Sequence, residues 1–160
     1  MYIPFHQLPQ HSRIWIYQAS RELTDAEVEE LNPVLSQFVT EWTSHGQLLQ
    51  ASAKLFYNRF LVIGNDEDVN SPSGCSIDAS VRFVKQLEAH LNVTFFDRTQ
   101  LAFYKDKSVA VVPLKAVKEK INAGELQADS LYFDNTVATA GQIQDNWPKP
   151  AKETWLARYF

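Results

Sequence analysis

Apolar residues in this chain change their spacing from one segment to the next, and those changes predict its elements. After a polar start with prolines at 4 and 9, the run Arg13-Ile14-Trp15-Ile16-Tyr17 is apolar, aromatic and β-branched, and predicts a first strand. Thr24-Asp25-Ala26-Glu27 then matches a capping box, in which the Thr hydroxyl and the Glu carboxylate each satisfy a backbone N–H left over at a helix start. Behind it Val28, Leu31, Leu35, Phe38 and Trp42 recur at spacings of three and four, one face of a helix. Pro33 falls inside that stripe; it either kinks the helix or opens a second one capped by Asn32, and the unbroken stripe favours the kink. His45-Gly46 is expected to close the helix, glycine supplying the left-handed residue of a C-cap.

Two strand-like runs follow, Leu48 to Tyr57 and Arg59 to Gly64, with Tyr57-Asn58 as a tight turn. Phe60-Leu61-Val62-Ile63 is apolar throughout, as expected of a central strand covered on both faces. Asn65 to Asp68 and Asn70 to Gly74 read as loop, and the next helix is expected to turn Ile77, Val81, Val84, Leu87 and Leu91 inward. Ser76 is its predicted N-cap, with Asp78 in the first turn. Val93 to Phe96 predicts a short strand, and Leu101–Tyr104 with Val109–Val112 a hairpin around Asp106-Lys107. Pro113, Leu114, Val117, Ile121 and Gly124 outline a third, short helix. The tail offers a strand at Leu131-Tyr132-Phe133 and a terminal helix carrying Trp155 and Tyr159. Helices separated by hairpins predict an α+β fold: one domain over residues 1–160, a mainly antiparallel or mixed sheet, and two principal amphipathic helices near 25–44 and 76–91.

Composition narrows the partners. With 160 residues, 45% of them apolar, the chain can fill a core, and its net charge of −4 argues against general nucleic-acid or acidic-membrane binding. No run approaches a membrane span, and the N-terminus has no basic segment leading into an apolar one, so neither a membrane anchor nor a signal peptide is expected. The single cysteine cannot form an internal disulfide, and a free thiol fits a cytoplasmic protein.

Candidate chemistry centres on Ser73-Gly74-Cys75-Ser76-Ile77-Asp78, where the only cysteine stands at a helix entrance. A cysteine nucleophile needs its thiolate, which a helix N-terminus or an imidazolium neighbour stabilises. His45 is the candidate base, and Asp66 (or Glu67 or Asp68) the acid that orients it. Free thiols are more often packed turn residues than nucleophiles. The same turn can bind an anion without its sulfur: Gly74 lets a ligand approach, Ser73 and Ser76 offer hydroxyls, and Asp78 and Arg59 complete the candidate ligand-binding set. A well-capped helix with satisfied amides is the plainer alternative.

Other chemistries find less support. Neither a P-loop nor a dinucleotide-binding glycine motif is present. Asp66, Glu67, Asp68 and Asp97 follow strands, where acids can hold Mg²⁺, yet a solvated acidic loop accounts for three carboxylates in a row. His6, His11, His45 and His90 show no zinc-binding spacing, so no metal or cofactor is expected. The lysines at 105, 107, 115, 118 and 120 are interrupted by Asp106 and Glu119 and read as a solvated face. Trp147, Trp155, Tyr159 and Phe160 must either dock on the core or meet a second copy of the chain, so a homo-oligomer is one expectation.

Taken together, Trp42-x-x-His45-Gly46, Asn58-Arg59-Phe60-Leu61, Asp66-Glu67, the Ser73-to-Asp78 run and Phe95-Phe96-Asp97-Arg98 resemble a family of small bacterial proteins of about this length. The resemblance spans most of the chain, and the Ser73-to-Asp78 run is its most specific part. It implies a bacterial, cytoplasmic setting and brings no activity with it. The label ABC-transporter ATPase sometimes given to such proteins does not fit, because the Walker lysine loop is missing. The residues therefore predict a binding or interaction module for a small ligand or protein, with a small-ligand or anion site around Cys75. A thiol-dependent enzyme or redox-sensitive protein using Cys75 with His45 is the alternative.

Overall fold

The computed structural model describes residues 1–160 and has the expected α+β architecture, with antiparallel sheets and with the two principal helices packed on the sheet of Arg13–Gln18, Ala51–Phe56 and Phe60–Asn65. Its elements begin with β1 (Arg13–Gln18), α1 (Asp25–Glu41), β2 (Thr43–Ser44), β3 (Gln47–Leu48), β4 (Ala51–Phe56), β5 (Phe60–Asn65) and α2 (Gly74–Leu91). They continue with β6 (Gln100–Lys105), β7 (Ser108–Pro113), α3 (Val117–Asn122), β8 (Leu131–Tyr132), α4 (Ala140–Asp145) and β9 (Lys149–Pro150). The chain divides into two compact units, Met1–Phe96 with Ala138–Gln144, and Asp97–Val137 with Asp145–Phe160. No helix is long and apolar enough to cross a membrane.

In the first unit β5 lies between β1 and β4, antiparallel to both, and all six of its residues are buried. That is why its sequence is apolar without alternation. One face of this sheet, with Trp15, Tyr17, Ala53, Leu61 and Ile63, meets Leu31, Leu35 and Val39 of α1 and Val84, Leu87 and Leu91 of α2 in a single core. Each large side chain buried there contributes roughly 1.5–3 kcal/mol. Phe5 and Leu8 lie on the other face: Phe5 packs edge-on against Phe56 at 5.2 Å, and Leu8 occupies the space that a Cβ on Gly64 would need.

The helix α1 begins with the predicted capping box: Thr24 Oγ1 accepts the Glu27 N–H at 3.1 Å, and Glu27 accepts the Thr24 N–H at 2.9 Å. Pro33 lies inside the helix on its exposed side, where the carbonyl it leaves without a donor can be hydrated. The helix ends earlier than expected, because Trp42 leaves it in an extended conformation to bury its ring. His45 and Gly46, at φ 50° and 78°, then form the turn of the small β2–β3 hairpin instead of a helix cap. Tyr57 and Asn58, at φ 54° and 52°, make the predicted tight turn between β4 and β5.

Two further expectations change in this unit. Residues 93–96 form no strand; hydrogen bonds from Ser20 N–H to the Thr94 carbonyl and from Phe95 N–H to Glu88 hold them instead. The short helix α4, absent from the sequence reading, closes against Gln10, whose carbonyl accepts the Gly141 N–H at 2.7 Å.

The second unit holds a sheet of order β7-β6-β8-β9 around Leu101, Phe103, Val117, Leu126, Tyr132, Ala151 and Leu156. Its β6–β7 hairpin turns at Asp106 and Lys107, both left-handed without a glycine. Trp147 is buried and donates its ring N–H to the Asp134 carbonyl at 3.2 Å. Trp155 to Tyr159 form a 3₁₀ turn capped by Thr154, in place of the expected terminal helix.

Candidate functional site

The first turn of α2 starts earlier than the hydropathy suggested. Ser73, not Ser76, is the N-cap: its hydroxyl accepts the Ser76 N–H at 3.1 Å, while Ser76 Oγ accepts the Ser73 N–H at 3.0 Å. This is a capping box in which serine stands where glutamate or glutamine is usual. Asp78 consequently falls in the second turn, and the first turn carries no acid. The buried face follows Ser76, Ser80, Val84, Leu87 and Leu91, leaving Ile77 and Val81 only partly covered. Two serines open this face because their hydroxyls reach backbone carbonyls, Ser76 to Thr43 at 2.7 Å and Ser80 to Ile77 at 2.7 Å.

Those bonds also tie the turn to the segment carrying His45. Trp42 donates its ring N–H to the Ser76 carbonyl at 2.8 Å, one residue from the Thr43 carbonyl that Ser76 holds. Both serine hydroxyls are therefore engaged within the protein. Within the turn, Ile77 N–H bonds the Ser73 carbonyl at 3.0 Å and Ser76 N–H is capped, whereas Gly74 N–H and Cys75 N–H have no partner. Gly74 and Cys75 are exposed, and so is His45, in its hairpin turn. The turn thus presents a thiol and two unused amides at the positive end of an 18-residue helix.

Two of the predicted residues lie elsewhere. Arg59 precedes β5, and its guanidinium donates to the carbonyls of Ala19 at 3.2 Å and Ser20 at 3.1 Å. Ser20 N–H bonds Thr94, just beyond the C-terminus of α2, so Arg59 stands near the opposite end of a helix roughly 27 Å long. Burial lowers the pKa of its guanidinium, which belongs to that carbonyl cluster and not to the Cys75 turn. Asp66 does not orient His45. Its backbone N–H bonds the Gln50 carbonyl at 2.9 Å, its Oδ1 accepts the Asp68 N–H at 3.0 Å, and its carboxylate faces His11.

His11 is the residue that sequence spacing did not reveal. It lies two residues before β1, while Asp66 follows β5, and the ladder pairs Arg13 with Asn65. Register therefore brings the two segments out of the sheet side by side. His11 Nε2 and Asp68 Oδ2 are 2.6 Å apart, and one donor atom from each of His11, Asp66 and Asp68 lies within 4.8 Å of the others. Asp66 is buried, His11 and Asp68 are exposed, and Glu67 points to Arg13 at 3.8 Å. A scan against protein-family models and searches of curated proteins and of solved structures find no match to this chain.

Proposed function

We propose that this protein is a binding or interaction module that receives an anionic group, such as a carboxylate or phosphate, at the first turn of α2. The observation that carries the reading is the pair of unpartnered amides of Gly74 and Cys75, both exposed residues. Backbone donors at a helix start favour negative charge, and here the Ser73–Ser76 box and the Ser76–Thr43 bond hold them in place, so little ordering accompanies binding. Asp78 limits affinity: four residues after Gly74, it shares that face of the helix and its carboxylate competes for the same positive end. In ¹⁵N-resolved NMR, acetate or phosphate added at constant ionic strength should shift the Gly74 and Cys75 amides saturably, and more tightly in Asp78→Asn. Shifts no larger than chloride produces would end this reading.

A second reading, thiol chemistry at Cys75, draws on the exposure of the sulfur beside the segment that carries His45. The pH dependence of iodoacetamide alkylation tests it. An apparent pKa well below about 8.5 that rises in His45→Gln supports it, and one at or above that value counts against it.

A further inference from the structure

We propose that His11, Asp66 and Asp68 form a binding site for a divalent first-row transition-metal ion, separate from the Cys75 turn. The donors come from two segments that the β1–β5 register places together, with an imidazole nitrogen and two carboxylates converging within 4.8 Å. An ion about 2.0–2.2 Å from each donor needs them roughly 3–3.5 Å apart. The 2.6 Å His11–Asp68 pair must then open slightly, and no pair has to close by much more than 1 Å. Which side chains can move is settled by their surroundings. Asp66 is buried and fixed through the Gln50 carbonyl and the Asp68 N–H, so it is the anchor. The side chains of His11 and Asp68 are 63% and 65% exposed and can rotate onto the ion.

Charge points the same way. His11 pairs with Asp68, while Arg13, two residues from His11, pairs with Glu67, so the carboxylates of Asp66 and Asp68 bring negative charge to one place. Ser12, next to His11, adds a buried hydroxyl oxygen with no hydrogen-bond partner. The donor set selects the metal class. Imidazole disfavours Mg²⁺ and Ca²⁺, which take all-oxygen shells, while one nitrogen and two carboxylate oxygens suit Mn²⁺, Fe²⁺ or Zn²⁺. Three protein donors also leave positions on the ion open to water or to a ligand.

The test is a titration of chelator-stripped full-length protein with Mn²⁺, followed by loss of the free-ion EPR signal, and with Zn²⁺ by calorimetry in the Cys75→Ser background. One equivalent should bind. His11→Gln, Asp66→Asn and Asp68→Asn should each weaken it by roughly tenfold or more, since losing even an outer-shell partner of a metal site costs that much. Glu67→Gln, with its carboxylate on Arg13, should bind as the parent does. Circular dichroism checks each variant; if Asp66→Asn does not fold, the two exposed positions decide. Absence of stoichiometric binding of either ion, or binding that His11→Gln and Asp68→Asn leave unchanged, overturns the proposal.

Discussion

Gly141→Ala should destabilise this protein although it places the better helix former in a helix. A Cβ at this position would lie 2.9 Å from the Gln10 Cβ and 3.0 Å from its carbonyl oxygen. The oxygen is backbone and already accepts the Gly141 N–H at 2.7 Å, so it cannot swing aside as a side-chain tip would. Overpacking of this kind costs about 1–3 kcal/mol. Loosening the hydrogen bond adds about 1 kcal/mol. Helix propensity works the other way by only about 1 kcal/mol. The balance is a loss of about 1–3 kcal/mol, or roughly 2–4 °C in melting temperature for each kcal/mol in a chain of this size. Gly74→Ala is the internal control: nothing lies within 4 Å of its Cβ and its φ is not left-handed, so the same exchange should stabilise by about 0.4–1 kcal/mol. Thermal and urea unfolding followed by circular dichroism measure both. If Gly141→Ala is neutral or stabilising, or if both variants lose stability alike, the close approach of α4 to Gln10 is not what fixes residue 141.

Two other changes test the helix entrances. The forked side-chain bond from Arg21 and then the Thr24 backbone N–H lower the Glu27 carboxyl from 4.5 to about 2. Because the folded-state value is the lower one, its stabilisation is complete above about pH 4.5 and is lost as the pH falls towards 2. The stability gap between the parent and Glu27→Gln should accordingly be constant above pH 5 and narrow on acidification; a gap that persists near pH 2 in urea titrations would contradict this. Ser76→Ala should cost about 1–3 kcal/mol, since it leaves the Ser73 N–H and the Thr43 carbonyl without Ser76 Oγ. Unchanged unfolding midpoints would show that water replaces both bonds.

What could be read in advance was local. The capping box before α1, the Tyr57-Asn58 turn and the uniformly buried β5 depend on residues within a few positions of one another, so their signals are contiguous. The α2 start was misplaced because Ser73 and Ser76 are both good caps, and only their reciprocal bonds decide which one acts. Val84, Leu87 and Leu91 are buried as expected, and only the first two turns of the face differ, for a related reason: Ser76 and Ser80, polar by hydropathy, become core-facing because their hydroxyls reach carbonyls. Trp42 fits a helical stripe, yet its ring N–H finds the Ser76 carbonyl from an extended backbone. The helix α4 gave no signal, because Ala140-Gly141-Gln142 is a weak helix sequence whose geometry is completed by Gln10, far away in the chain.

The same division separates the two candidate sites. The Cys75 turn was legible because a helix entrance is written in consecutive residues. The pairing of His11 with Asp68 spans 57 positions and exists only through the β1–β5 register, which no spacing rule along the chain reports. The acidic run 66–68 reads as solvated loop, and that holds for Glu67 and Asp68, which are exposed, whereas Asp66 is buried and anchored and Asn65, expected in the same loop, ends β5. Both sites border the segment from residue 66 to 73, but they rest on different atoms. Asp68→Asn leaves the Ser73–Ser76 box and the Gly74 and Cys75 amides untouched, and Cys75→Ser leaves all three metal donors in place. Loss of ion binding therefore says nothing against anion binding at α2, and the converse holds, so each assignment stands or falls on its own measurement.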